Sequence, residues 1–208
     1  IPDEQSSQVS PSSSFTSEPI QLFEENTSSL NVFILFKSKN TNAKSFLISQ
    51  QNTANNFEIG YSLGGTNTQS NFGIQTDDTH TSKTKTSSIS TNEYNLITIQ
   101  LLSNQVLKNN SITTLLPNLN IDKNITLYKN SSYMSIIHDE NNYPEPGNYV
   151  TALQNLIIGS QYNDTSYHYG DIAEILIIKD TITNTDRTSI ENYFAQKWDL
   201  DNDNASQT

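Results

Sequence analysis

Residues 170–198 read GDIAEILIIKDTITNTDRTSIENYFAQKW, and this stretch decides the fold. Residues 172–178 are apolar except for Glu174. A run that short and that continuous reads as a strand covered on both faces. Thr183 then stands three residues ahead of Asp186, the spacing of a capping box, so a helix is expected to start there. Ile190, Tyr193, Phe194 and Trp198 follow at helical spacing and are placed on one face. Arg187, Glu191 and Lys197 are expected on the opposite, solvated side, with Lys197 also complementing the negative end of the helix dipole. The helix is expected to lie across the strands before it and to hide Trp198.

Upstream, short apolar runs recur with turn residues between them. Strands are expected near 19–24 (PIQLFE), 31–37 (NVFILFK), 45–50 (SFLISQ), 56–62 (NFEIGYS) and 70–75 (SNFGIQ). Further ones are expected near 94–102 (YNLITIQLL), 124–129 (NITLYK), 132–138 (SYMSIIH), 153–159 (LQNLIIG) and 171–179. Gly64-Gly65, Asn109-Asn110 and Lys129-Asn130-Ser131 supply turn chemistry between them. In NITLYK, Ile125, Leu127 and Lys129 face one way, and Thr126 and Tyr128 the other. Many short strands closed by one helix indicate an all-β, two-sheet antiparallel sandwich rather than a βαβ fold.

Composition narrows the function. Only 33% of the 208 residues are hydrophobic, which is low for a globular chain. The apolar residues are clustered, however, so the ends read as unstructured while the middle does not. Residues 1–18 are Ser- and Pro-rich and are expected to be a linker or arm. Residues 19–200 form the sandwich, and 201–208 a polar tail. A net charge of −11 disfavours nucleic acid, which needs a basic face. The absence of cysteine removes disulfides, thiol nucleophiles and thiolate metal sites. No apolar run reaches the roughly 18 residues of a membrane span, so no membrane insertion is expected. The chain begins at Ile1 without a signal-peptide pattern and is read as a piece excised from a larger protein.

The segments GDIAEI (170–175), ITN (182–184) and IENYFAQKW (190–198) resemble the C-terminal end of concanavalin A-like (laminin-G-like) domains. In that family a G-x-I-A-E strand leads into a short helix ending in a K-W pair. NVFILFK resembles the family's first long core strand, NFEIGYSLGG its next hairpin, NITLYKNS its strand and turn, and LIIGS the strand before the last. The resemblance spans residues 20–199 and implies a jelly-roll sandwich. It implies no activity, because the superfamily holds lectins, glycosidases, adhesion modules and structural domains. Residues 103–122 resemble an insertion, and Asn130-Ser131 replaces the family's Asn-Gly turn, which would widen that hairpin.

Several patterns carry chemistry. Gly60-Tyr61-Ser62-Leu63-Gly64 matches the G-x-S-x-G nucleophile elbow, but no helix pattern follows, so a β-hairpin is expected instead. Glycosidases of the family carry two or three carboxylates on one strand, and no strand here does. Glu174 stands alone and is expected to be structural. His80, His138 and His168 match no zinc spacing and are read as solvated. No cofactor is required. Calcium is the candidate ion, with Asp77 and Asp78 in one loop and Asp139 and Glu140 in another as candidate ligands. Asp199, Asp201 and Asp203 open like a calcium loop but read as a helix exit. Tyr143, Tyr149, Tyr162, Asn163 and Tyr167 are the candidate ligand-binding residues: aromatic faces beside amides suit sugar rings. Tyr169 precedes Gly170, where the family places a packing aromatic. Asn26, Asn109, Asn124, Asn130, Asn163 and Asn204 head N-x-S/T sequons, as chance allows in so Asn-, Ser- and Thr-rich a chain.

These features point to a non-catalytic binding or adhesion module of a secreted or surface-exposed multidomain protein. The expected partner is carbohydrate, or another cell-surface or protein partner. The expected location is extracellular, on a cell surface or on a virion. The alternative is a structural or assembly module of a virion, tail fibre or surface filament, in which a homo-oligomer replaces the ligand. A glycosidase ranks third.

Overall fold

The computed structural model describes residues 15–20, 22, 29–39, 44–51, 56–62, 71–75, 81–84, 89–102, 125–134, 136–138, 154–161 and 166–200. Within them the chain forms β1 (Phe15–Ile20), β2 (Ser29–Ser38), β3 (Ser45–Gln51), β4 (Asn56–Tyr61), β5 (Phe72–Gln75) and β6 (Thr81–Thr84). It continues through β7 (Tyr94–Leu102), β8 (Ile125–Lys129), β9 (Ser132–Met134), β10 (Ile136–His138), β11 (Gln154–Ile158), β12 (Gly170–Ile178) and the helix α1 (Asn184–Trp198). One sheet has the order β1-β11-β3-β4-β5-β6-β10 and the other β12-β2-β7-β8-β9. The strand pairs within both are antiparallel, as expected of the sandwich.

The boundaries differ from the sequence reading at three places. β1 begins at Phe15 rather than Pro19, so the end of the Ser- and Pro-rich stretch is already paired with β11. β6 is TSKT, a strand with no apolar residue to announce it. The run SYMSIIH, expected as one strand, is two: β9 closes the second sheet and β10 the first. A chain that changes sheets within a few residues makes a corner of the sandwich.

The core lies between the sheets. Val32, Ile34 and Phe36 of β2 meet Phe57, Ile59 and Tyr61 of β4 and Phe72 and Ile74 of β5 there. The alternate residues of β2, Phe33 and Leu35, face the other way and pack with Leu96 under Phe194 of α1. β2 is therefore apolar on both faces because one carries the sandwich core and the other the helix. Each such buried side chain contributes roughly 1.5–3 kcal/mol relative to exposure.

β12 meets the same demand with an irregularity. Its register against β2 slips between Ile172 and Glu174. Ile172, Ile175 and Ile177 consequently reach the inner core, while Ala173, Leu176 and Ile178 reach the helix layer. The extra residue turns Glu174 toward the end of α1, where it accepts hydrogen bonds from Lys197 Nζ and Trp198 Nε1, both at 2.8 Å. These two donors hold its carboxyl below the usual carboxylate range. Glu174 is thus structural, as expected, and ties the K-W pair to the strand.

The capping box is present: Asp186 N donates to Thr183 Oγ1 (3.1 Å), and Thr183 N donates to Asp186 Oδ2 (3.0 Å). Asp199 ends the helix at φ 51, so the helix-exit reading of that acid holds. The buried face of α1 corrects the sequence reading. Arg187 is 8% exposed and Glu191 1%, whereas Tyr193 is 50% exposed. Arg187, Glu191, Phe194 and Trp198 are the stripe that follows the helical repeat, and Tyr193 lies a third of a turn off it. Burial is tolerated because Arg187 pairs with Glu191, Thr98 Oγ1 donates to Glu191 Oε1 at 2.7 Å, and the guanidinium lies 3.9 Å from the Tyr128 ring centroid.

The β8–β9 turn corrects a second expectation. Lys129 pairs directly with Ser132, so the hairpin is a tight two-residue turn, not a widened one. Asn130 and Ser131 both take positive φ, 45 and 65, which is the geometry that favours Asn-Gly. Asn130 N donates to Leu96 O and Asn130 Oδ1 accepts from Leu96 N, fixing the turn against β7. Ser131→Gly is expected to stabilise the fold by about 0.5–1 kcal/mol. Urea denaturation checks this: a midpoint at or below wild type would contradict it.

Candidate functional site

Along β4, Phe57, Ile59 and Tyr61 point into the core, so Glu58 and Gly60 point out of the sandwich. Glu58 pairs laterally with Ser49 of β3 and Gln75 of β5. Ser49 pairs in turn with Ile157 of β11, and Gln75 with Thr81 of β6. One lateral row, or rung, of paired residues in the seven-stranded sheet thus runs Ile157–Ser49–Glu58–Gln75–Thr81, with Ser49 and Glu58 on its outer face. Glu58 is 1% exposed there. Gln161 Nε2 donates to Glu58 Oε2 in a long hydrogen bond of 3.5 Å, and Ser49 Oγ donates to Ser160 O at 2.9 Å.

Gln161 is held by a small hairpin. Ser160 bridges Tyr167, Gln161 N donates to Ser166 O (2.8 Å), and His168 N donates to Gly159 O (2.8 Å). Tyr167 stands on this hairpin, 36% exposed. Tyr162 and Asn163 follow Gln161 directly in sequence but lie outside the described residues, as do Tyr143, Tyr149, Asp77, Asp78, Asp139 and Glu140. Of the candidate residues the structure therefore places Tyr167 alone. It does place the points from which the others leave. The segment with Asp77 and Asp78 joins Gln75 to Thr81 at one end of the rung. The segment with Asp139 and Glu140 leaves His138, which pairs with Ser82 next to Thr81. No group of three or more His, Cys, Asp or Glu side chains is assembled among the described residues.

Glu58 and Gln161 were missed by sequence reasoning. The alternation in NFEIGY does put Glu58 on the face opposite Phe57 and Ile59. Its hydrogen-bond partner Gln161 is 103 residues away, and no local pattern signals that pairing.

The elbow-like motif resolves as expected. Gly60 and Tyr61 end β4, Ser62 turns at φ 56, and Ser62 N donates to Asn71 O as the chain returns into the antiparallel β5. Tyr169 is 50% exposed rather than packed.

His168 corrects the solvated reading. Its ring meets Phe36 and Tyr61 edge-on, with centroids at 5.7 and 5.9 Å. Nδ1 shares a 3.0 Å hydrogen bond with the Tyr61 hydroxyl, which is also 2.7 Å from Ser38 Oγ. Burial lowers its pKa below the ordinary 6.5. A base with a depressed folded pKa contributes stability that is present above pH 6.5 and is lost as pH falls through the folded value. His168→Gln should therefore flatten the fall in urea midpoint from neutral to mildly acid pH. Parallel profiles for the two proteins would refute that role.

No family model matches the chain, and no curated protein matches it significantly. Solved structures do. The native heptameric SAP-like pentraxin from Limulus polyphemus is similar at 12% identity over 80% of this chain and 69% of that one, with a TM-score of 0.51. The CBM40 domain of the Ruminococcus gnavus IT-sialidase, bound to α2,3-sialyllactose, is similar at 14% identity, 85% and 98% coverage and a TM-score of 0.51. The NanB sialidase of Streptococcus pneumoniae is similar at 14% identity and a TM-score of 0.51, over 84% of this chain but only 27% of that one. At these identities the likeness establishes the fold: a concanavalin A-like jelly roll.

Proposed function

We propose that the chain is a non-catalytic carbohydrate-binding module of a secreted or surface-exposed multidomain protein. The observation that carries this reading is the polar rung on the outer face of the seven-stranded sheet. There Gln161 donates to the Glu58 carboxylate beside the strand pair that bears Tyr167, and Tyr162 and Asn163 follow Gln161 in the sequence. A carboxylate and an amide match sugar hydroxyls, which both donate and accept. A tyrosine face matches the apolar side of a sugar ring. The similarity to a sialyllactose-bound CBM40 domain supports the same reading. Binding is favoured over hydrolysis because the strands of this sheet carry only Glu58 and Glu18 as acids. They sit on β4 and β1, with β3 and β11 between them, where glycoside hydrolysis needs a paired set about 5–10 Å apart.

The test is a glycan array with neutral and sialylated members, followed by calorimetry on the best ligand. Tyr162→Ala and Tyr167→Ala should each weaken binding by about tenfold or more. An unchanged array profile in both variants would count against the site. A stable oligomer by light scattering with no glycan bound would favour the assembly module instead. Calcium, if the loops carrying Asp77, Asp78, Asp139 and Glu140 hold it, should raise the melting temperature by linkage and EDTA should reverse the rise.

A further inference from the structure

The five-stranded sheet carries a second polar rung on its own outer face. Asn31 of β2 pairs laterally with Gln100 of β7, and Gln100 with Thr126 of β8. The neighbouring rung, Phe33–Thr98–Tyr128, is roofed by α1 through Phe194, Glu191 and Arg187. The helix begins at Asn184, so the Asn31 rung emerges past its N-terminal end and opens into a cleft of about 180 Å³. Ser29, Asn31, Gln100, Thr126, Ile182 and Asn184 line it.

The floor of this cleft is rigid. Asn31 is 1% exposed, donates through Nδ2 to Asp180 O at 2.6 Å, and accepts from Gln100 Nε2 at 2.9 Å through Oδ1. Ser29 Oγ donates to the same carbonyl at 2.6 Å. The Gln100 amide is thereby oriented, while its Oε1, the Thr126 hydroxyl and the Asn184 side chain have no hydrogen-bond partner among the described residues. Three amide and hydroxyl groups converge on one space, with Ile182 as an apolar wall.

The electrostatics select the ligand. No lining side chain is charged. Asp186 stands in the first turn of the helix, tied to Thr183, and offsets the positive end of its dipole. An anion gains nothing there. The volume is small against the roughly 300–1,000 Å³ of pockets that enclose drug-sized molecules, and suits a single ring.

We infer that this cleft is a second binding site, for one neutral polyhydroxyl unit of the size of a monosaccharide. It uses no residue of the seven-stranded sheet and stands apart from the face proposed above. With both occupied, one module holds sugar on two opposite faces.

The experiment is a titration of the full 208-residue chain with galactose, glucose, mannose and N-acetylglucosamine, followed by amide NMR. At least one sugar should shift the side-chain amides of Asn31 and Gln100 and the backbone signals of residues 181–184, saturating with a Kd on the order of millimolar. Gln100→Leu should weaken that response severalfold, and Thr126→Trp, which fills the cleft while leaving the Asn31 framework intact, should abolish it. No saturable shift at these groups with any of the four sugars would overturn the inference. So would an undiminished response in Thr126→Trp. Shifts confined to Gln161 and Tyr167 would overturn the cleft but leave the first face standing, and shifts confined to the cleft would do the reverse.

Discussion

Gly60→Ala is expected to leave little folded protein. A Cβ at this position would be driven into the carbonyl oxygen of Ser45 and would stand 3.1 Å from its carbon and 3.2 Å from Phe46 Cα. All three atoms are backbone, so no side chain can swing aside. The close approach arises where the register of β3 against β4 slips between Phe46 and Ile48. Accommodating a methyl group means parting two central strands beneath Phe57, Ile59 and Tyr61. The cost should exceed about 4 kcal/mol, at the extreme of single substitutions. Circular dichroism and the soluble yield provide the readout. A variant with near-native melting would show that the two strands can separate cheaply.

Glu191→Ala should be nearly as damaging, by about 3–5 kcal/mol, because it strands the Arg187 guanidinium beneath the helix. Arg187 Nε already lacks a partner among the described residues, and Thr98 would lose the acceptor of its hydroxyl. For a domain of this size the melting temperature should fall by roughly 6–20 °C. Arg187→Met combined with Glu191→Leu separates charge from packing: it should recover most of the loss, since a buried pair often contributes no more than apolar residues of like volume. If Glu191→Ala melts within a degree or two of wild type, the pair is solvated and the buried arrangement is wrong.

These two sites also mark where the sequence was readable and where it was not. The capping box of Thr183 and Asp186, the two-sided apolar run of β12 and the alternation in NITLYK are local patterns, and each became the element it announced. The Asn130-Ser131 turn is tight because Lys129 pairs directly with Ser132, a pairing the two residue types do not announce. Arg187 and Glu191 were assigned to water because lone charges usually are. Their burial rests on Thr98 and Tyr128, residues of strands far away in sequence. His168 likewise could not be placed until Phe36 and Tyr61 were beside it. Of the candidate residues, Tyr167 alone lies among the described ones. Glu58 has a polar neighbour supplied by the second half of the chain, and its role follows from lateral pairing rather than from spacing.

The slip between Ile172 and Glu174 has a consequence for how separate copies of the molecule treat one another. Among the described strands β12 is the outermost of its sheet, with β2 on one side and no described strand on the other. A regular seven-residue run of Ile, Ala and Leu at such an edge is a template on which an identical strand could add. The irregularity breaks the ladder spacing, the Glu174 carboxylate interrupts the apolar run, and the helix lies over one of its faces. A growing cross-β stack would have to undo all three, so the device that anchors the helix also opposes the addition of an identical strand at this edge.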